Sequence, residues 1–315
     1  MFTIIKESLG RAAKTVWMLM KIMFPVALLF RLLQMAGWLP YIGDALSPLM
    51  NLLGLPGEMG IVWATTLLVN IYGGLFSYLT LLPSLPEPLS VAQVTVLATV
   101  MLIAHTFPAE LTVATKCGVR LWFALTLRFV MALIAGIALN LIYSSIGALD
   151  APSQAVIHLE MHDETWWLWL LSQIKSFALI FIVVFSMVLL LKILDKIKVL
   201  DAINKALHPL VKFMGIGQNA VPSVLVGLTM GLAYGGGIIL AEAEDKHLTP
   251  HDLLYSIVFL SLCHSIIEDS LLMISCGAHY TGVFVFRILF AILFCWLFIL
   301  ITKRTGIRWA WKAKN

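Results

Sequence analysis

One polar stretch occurs twice in this chain, and it governs what the chain can become. The first copy is His105-Thr-Phe-Pro-Ala-Glu110, running on to Lys116-Cys117-Gly118. The second is His264-Ser-Ile-Ile-Glu268-Asp269, running on to Ser275-Cys276-Gly277. The histidines lie 264 − 105 = 159 residues apart, and the same offset carries Glu110 to Asp269, Cys117 to Cys276 and Arg128 to Arg287. Further pairs follow at nearly that spacing. Leu207-His-Pro209 matches Leu46-Ser-Pro48 at 161, and Tyr234-Gly-Gly236 matches Tyr72-Gly-Gly74 at 162. A match of this length means one structural unit used twice.

Both copies sit inside long apolar runs. The 315 residues are 61% hydrophobic and 12% charged, where a soluble domain is about a quarter charged. Runs of spanning length predict an all-α polytopic membrane protein, with the lipid bilayer as its first partner. The net charge of +4 is then a matter of topology, and no nucleic-acid partner is implied. No small-residue cleavage site follows the apolar run after Lys14, so a cleaved leader is not expected. The four cysteines (117, 263, 276 and 295) form no CxxC pair and predict no disulfide framework.

The halves divide at residues 148–165, the one long polar connection, which holds Asp150, Glu160, Asp163 and Glu164 and neither Lys nor Arg. The units are residues 1–147, the linker 148–165, and residues 166–315. Within the linker, His158-x-Glu160-x-His162-Asp163 could gather a metal, though a solvated acidic loop explains it as well. Basic residues cluster at both termini, at Lys116–Arg120 and around residues 192–212. The connections at 38–46, 82–92, 148–165 and 276–281 carry none. This predicts a cytoplasmic (inner) membrane protein with both termini in the cytoplasm and the acidic linker outside. Each half then crosses an odd number of times, which makes the halves two inverted repeats. Parity favours folding residues 45–82 as a re-entrant hairpin with its tip at Pro56-Gly57-Glu58. Its twin is 206–243, with a tip at Gly217-Gln218-Asn219. Each half reads helix, re-entrant hairpin, broken helix, helix.

Ionisable residues inside a bilayer are expensive and mark function by default. Arg128 and Arg287 lie within spanning helices, so one internal ion pair per half is expected, Arg128 with Glu110 and Arg287 with Asp269. The alternative is an arginine clamp on an anionic substrate. If those pairs form, Glu58, His105, Gln218, Asn219, His264 and Glu268 remain for ligands, and the candidate substrate- or ion-binding set is these six with Glu110 and Asp269. His264 and Glu268 are four apart, on one face of a helix, and Pro108 breaks the helix between His105 and Glu110. Two imidazoles, two carboxylates and two amides suit a small polar solute coupled to a proton or Na⁺. His105, His264, Glu58 and Glu268 also suit a divalent metal.

The residues Gly54-Leu-Pro-Gly-Glu58, Tyr72-Gly-Gly74 and Tyr234-Gly-Gly-Gly237, with the two polar broken-helix stretches, resemble the nucleoside-recognition or gate domain family. That family includes the core of concentrative nucleoside transporters, the membrane part of ferrous-iron transport protein B, and spore maturation proteins A and B. The resemblance spans residues 12–146 and 167–303. It implies a transporter fold, with Gly57-Glu58 at the substrate-contacting end of the first hairpin. No P-loop Lys-Ser/Thr follows the glycines, so GTP-driven transport is not expected within this chain.

Three functions compete at this stage. One is a secondary transporter of a small polar, nucleoside-like solute coupled to a cation. One is a divalent-metal permease, for ferrous iron as an example. The third is a non-transporting membrane component acting through a partner. No nucleophile–base pair stands out, so an enzyme is not expected. A homo-oligomer is expected, and no cofactor is implied beyond a bound cation.

Overall fold

The computed structural model describes residues 2–155, 165–244 and 248–311. The His158–Asp163 motif of the linker lies outside the described residues. The protein is an all-helical membrane protein. Among the described residues, three helices are long and apolar enough to cross a bilayer, and five if each of two bent pairs counts as one span.

The helices fall into two series of the same kinds. The first is α1 (Phe2–Met35), α2 (Leu39–Asn51), α3 (Glu58–Leu68), α4 (Ile71–Leu81), α5 (Val91–Ile103), α6 (Phe107–Lys116) and α7 (Leu121–Ile146). The second is α8 (Trp166–Lys196), α9 (Val199–Phe213), α10 (Val221–Met230), α11 (Leu232–Glu244), α12 (Pro250–Leu262), α13 (Glu268–Ser275) and α14 (Arg287–Thr305). A π-helical turn, Thr281–Phe286, precedes α14.

Local chemistry sets the starts of the bent pairs. Ser90 and Gln93 form a capping box at α5, and Thr249 and Asp252 form the equivalent box at α12. Each box also fastens the preceding joint. Gln93 Nε2 donates to the Gly54 carbonyl at 2.9 Å, and the Gly217 amide donates to Asp252 at 3.0 Å. Capping satisfies amides that a helix start leaves open, and here it also fixes where α2–α3 and α9–α10 turn.

Two ends can be told apart. At one, Val91 N donates to Ala151 O, Ser153 N to Leu89 O, and Ser153 Oγ to Gly277 O. Three connections free of Lys and Arg therefore meet there. At the other, Arg120 N donates to Ala310 O and Arg120 Nε to Trp311 O. The basic turn thus meets the C-terminal segment. α7 separates these ends by 26 residues, about 39 Å. α5–α6 runs from the acidic end to the basic end, and α13 delivers Gly277 to the acidic end. α1 and α8 run antiparallel, with Arg31 over Trp166 at one end and Glu7 bonded to Lys192 at the other.

The hairpins differ from expectation in where they turn. Residues 45–82 lie in three helices, and Pro56-Gly57-Glu58 is the joint between α2 and α3. The sharp turns are Val69-Asn70 between α3 and α4, and Gly231 between α10 and α11. Glycine lets the two arms close. A Cβ on Gly74 would strike Thr66, and one on Gly235 would strike Gly227. Both pairs bracket the turn symmetrically, which fixes the arms as antiparallel. The glycine pairs therefore serve close helix packing.

Candidate functional site

The two breaks place one histidine each at the centre. α5 stops at Ile103 and α6 starts at Phe107, with Thr106 in the left-handed region at φ 49°. α12 stops at Leu262 and α13 starts at Glu268, with Ser265 in the same region at φ 48°. Non-glycine residues rarely take this conformation. It is held here by the hairpins. Thr106 N donates to Thr66 O, and Ile266 N to Leu228 O, both at 2.9 Å. Trp63 Nε1 takes the Ala104 carbonyl at 3.3 Å. The hairpin of each half thus satisfies backbone groups that its broken helix frees, as an apolar surround requires.

His105 and His264 meet nitrogen to nitrogen, with Nε2 atoms 3.2 Å apart. Each is almost fully buried, at 4% and 2% exposure. Their other nitrogens face carbonyls at repeat-related positions. His105 Nδ1 is 3.0 Å from Met101 O, and His264 Nδ1 is 2.6 Å from Leu260 O. A carbonyl only accepts, so each Nδ1 carries the hydrogen and each neutral Nε2 carries a lone pair. Glu110 Oε1 lies 3.0 Å from the first Nε2 and 3.3 Å from the second. With both imidazoles neutral, three acceptors converge, and a proton or another cation among them offsets their repulsion.

The arginines hold this arrangement from behind. Arg128 donates from Nε to Ile103 O and from Nη1 to Glu110 Oε2. Arg287 donates from Nε to Leu262 O, the equivalent carbonyl, and from Nη2 to His264 O. The expected pair Arg128–Glu110 forms. The expected pair Arg287–Asp269 does not, and Arg287 caps backbone instead. The cause lies in the second half alone. The π-turn ahead of Arg287 alters the register of α14, and Ser270 Oγ is drawn to the Val283 carbonyl inside that turn at 3.2 Å. With ionised side chains and neutral imidazoles, Arg128, Arg287, Glu110, Glu268 and Asp269 leave one net negative charge.

Asp269 is buried at 8% exposure and offers an oxygen within 4.8 Å of ligand nitrogens on both histidines. Glu268 faces elsewhere and accepts from Tyr72 Oη at 3.1 Å. The expectation that Glu268 shares a helix face with His264 fails because Ser265 breaks the helix between them. Glu58 is not in the centre either. It stands at the opposite end of α3 from the hairpin turn, eleven residues away, or about 16 Å. There it lines a separate cavity of about 370 Å³ with Arg31, Thr80 and Gln173. Gln218 and Asn219 are exposed in the joint before α10, a helix length from Gly231. The divalent-metal set expected from the sequence, His105, His264, Glu58 and Glu268, is therefore corrected to His105, His264, Glu110 and Asp269. Tyr72, Trp63 and the Val69-Asn70 turn were not among the expected site residues. The signal for the turn was present, since Asn70 interrupts an apolar run and its side chain caps Gly73 N at 2.8 Å.

Comparison with known proteins agrees with this architecture. The chain is 29% identical over 290 residues, 90% of each chain, to the Bacillus subtilis (strain 168) protein named Uncharacterized membrane protein YvoD. No solved structure gives a significant match. Residues 177–284 match the family model described as Gate, nucleoside recognition. That stretch runs from the middle of α8 through the hairpin α10–α11 and the broken pair α12–α13, and over it the chain is similar to the Gate domain of nucleoside-recognition proteins.

Proposed function

We propose that this protein is a cation transporter of the cytoplasmic membrane, with its ion held by His105, His264 and Glu110. One observation carries the reading: two imidazole Nε2 atoms and one carboxylate oxygen lie 3.0, 3.2 and 3.3 Å from one another. Such a cluster repels itself unless a cation sits on it. The ion that fits best is a divalent transition metal. Ligand bonds of about 2.0–2.2 Å in tetrahedral geometry give ligand–ligand edges of roughly 3.3 Å. The outer contacts also fit. Ligating histidines donate their other ring nitrogen to a carbonyl, and ligating carboxylates are themselves hydrogen-bonded. Met101 O, Leu260 O and Arg128 supply those partners. The imidazoles touch, so this point takes a single ion and not a nucleoside-sized solute.

The topology supports transport. Equivalent elements of the two halves run in opposite directions, as inverted repeats do, and the site lies where their broken helices meet. The basic end is the cytoplasmic end in this reading. A second reading keeps a proton on the histidine pair as the coupling ion for a small polar solute. It is favoured by the cavity of about 370 Å³ that holds Glu58.

The test is isothermal titration of the purified protein in detergent with Zn²⁺, paired with Zn²⁺ uptake into proteoliposomes. Wild type should bind one ion and carry it. His105→Ala and His264→Ala should each weaken binding at least tenfold and stop uptake. Absence of binding to wild type would sink the metal reading.

A further inference from the structure

The two halves present the same parts in different states. Arg128 and Arg287 are anchored alike, each by Nε to an equivalent carbonyl, Ile103 O and Leu262 O. Both histidines are oriented alike through Nδ1. The difference is in the carboxylates. Glu110 is engaged by both imidazoles and by Arg128. Asp269, its repeat equivalent, makes no side-chain hydrogen bond or ion pair among the described residues, although it is more than nine-tenths buried. Each arginine keeps one buried nitrogen without a partner among them, Arg128 Nη2 and Arg287 Nη1, and the Arg287 nitrogen is the one open to Asp269. The Asp269 carboxylate thus lies beside the histidine pair without a protein partner among the described residues, whereas its repeat equivalent is gripped by Arg128.

We infer that Asp269 is a second carboxylate ligand, to which the ion passes from Glu110 while both histidines stay bound, and that Arg287 is its positioning residue. The inference rests on the cation reading given above. His105, His264 and Asp269 already form a ligand triangle within 4.8 Å. It shares its histidine edge with the tighter triangle of His105, His264 and Glu110. A shift of the ion across that shared edge exchanges one carboxylate for the other and leaves the net ligand charge unchanged. Arg287 Nη1 then takes the outer oxygen of Asp269, as Arg128 Nη1 takes that of Glu110 now. The exchange needs only the second half to adopt the arrangement of the first, and the first that of the second. Equivalent units with opposite direction make the two arrangements open toward opposite faces of the membrane.

Co²⁺ serves as the probe, because its visible absorption reports ligand number and type. Four proteins are compared: wild type, Glu110→Gln, Asp269→Asn and the double variant. Each is checked for helicity and for a monodisperse elution profile. Asp269→Asn should bind Co²⁺ within threefold of wild type and with the wild-type spectrum, yet lose at least 90% of ion uptake in proteoliposomes. Glu110→Gln should still bind, about tenfold more weakly and with an altered spectrum, because Asp269 takes over. The double variant should not bind. Arg287→Lys should change the spectrum several-fold more in the Glu110→Gln background than in wild type, whereas a purely structural arginine would change both alike. Wild-type uptake by Asp269→Asn overturns the inference and spares the cation reading. So does a Glu110→Gln protein as inert toward Co²⁺ as the double variant. A wild-type protein that binds no Co²⁺ overturns both.

Discussion

Arg128→Met tests the asymmetry between the two buried arginines. The change strands the Glu110 carboxylate against two imidazole nitrogens that are themselves acceptors. Breaking a buried ion pair from one side costs about 3–5 kcal/mol. It also removes the Nε bond to the Ile103 carbonyl, and a buried acceptor left open costs a further 1–3 kcal/mol, roughly. Glu110→Gln removes the stranded charge, so the double variant retains only the second cost. The double-mutant cycle should return a coupling of about 3 kcal/mol or more. The same cycle on Arg287→Met and Asp269→Asn should return no more than about 0.5 kcal/mol, the level found for residues that share no partner. Arg287→Met alone should still destabilise, by about 1–3 kcal/mol for each of the Leu262 and His264 carbonyls it leaves open. The assay is reversible unfolding in mixed micelles, followed by circular dichroism, without added metal. Equal coupling at the two pairs would refute the reasoning, and so would no coupling at Arg128–Glu110.

Two further outcomes follow from the fold. In a background without the native cysteines, Ala151→Cys and Lys198→Cys should react with an impermeant thiol reagent from opposite sides of intact cells, residue 151 from outside; labelling from one side for both would remove the opposed directions of the halves. Gly235→Val should place side-chain atoms against Gly227 and pry the α10–α11 hairpin open. Thermal melting should fall by several degrees, whereas Gly237→Val, with open space at that Cβ, should melt within a degree or two of wild type, since overpacking costs about 1–3 kcal/mol and an open site does not.

Much of the centre was legible before any coordinates. His105, His264, Glu110 and Arg128 announced themselves as polar residues that an apolar run tolerates only for a reason, repeated at one offset. The hairpin turns were misplaced because Pro56-Gly57 carries the stronger local turn signal. The turn at Val69-Asn70 depends on Thr66 O meeting Thr106 N, a contact between distant segments. Glu58, Gln218 and Asn219 followed that misplacement to the far ends of α3 and α10. Glu268 was preferred over Asp269 on helical spacing from His264, and that spacing fails where Ser265 turns left-handed. The repeat itself pointed to Asp269, since Asp269 and not Glu268 stands 159 residues after Glu110. The backbone partners of Arg287, in place of the expected Asp269, escaped prediction for a different reason. A π-turn depends on packing at Gly282 against Thr95 and Leu139, which no periodicity in the sequence shows.

On the proposed cation reading, the hairpins connect the histidine pair to movement. Each turn lends one carbonyl to the amide of the broken helix beside it, Thr66 to Thr106 and Leu228 to Ile266. A hairpin that slides therefore pulls on the break beside its histidine, because its carbonyl holds the left-handed Thr106 in the first half and Ile266, which follows the left-handed Ser265, in the second. The halves also grip each other across the centre. α11 packs on α6, where the Gly236 carbonyl faces the Cys117 thiol, and α4 reaches α13 through Tyr72 and Glu268. Motion of the first hairpin acts through Tyr72 on Glu268, and Glu268 is the neighbour of Asp269. The Tyr72 hydroxyl is thus the polar link between the first half's hairpin and the second half's carboxylates. In the proposed exchange, the hairpin that bears on the histidine pair changes together with the carboxylate that holds the ion.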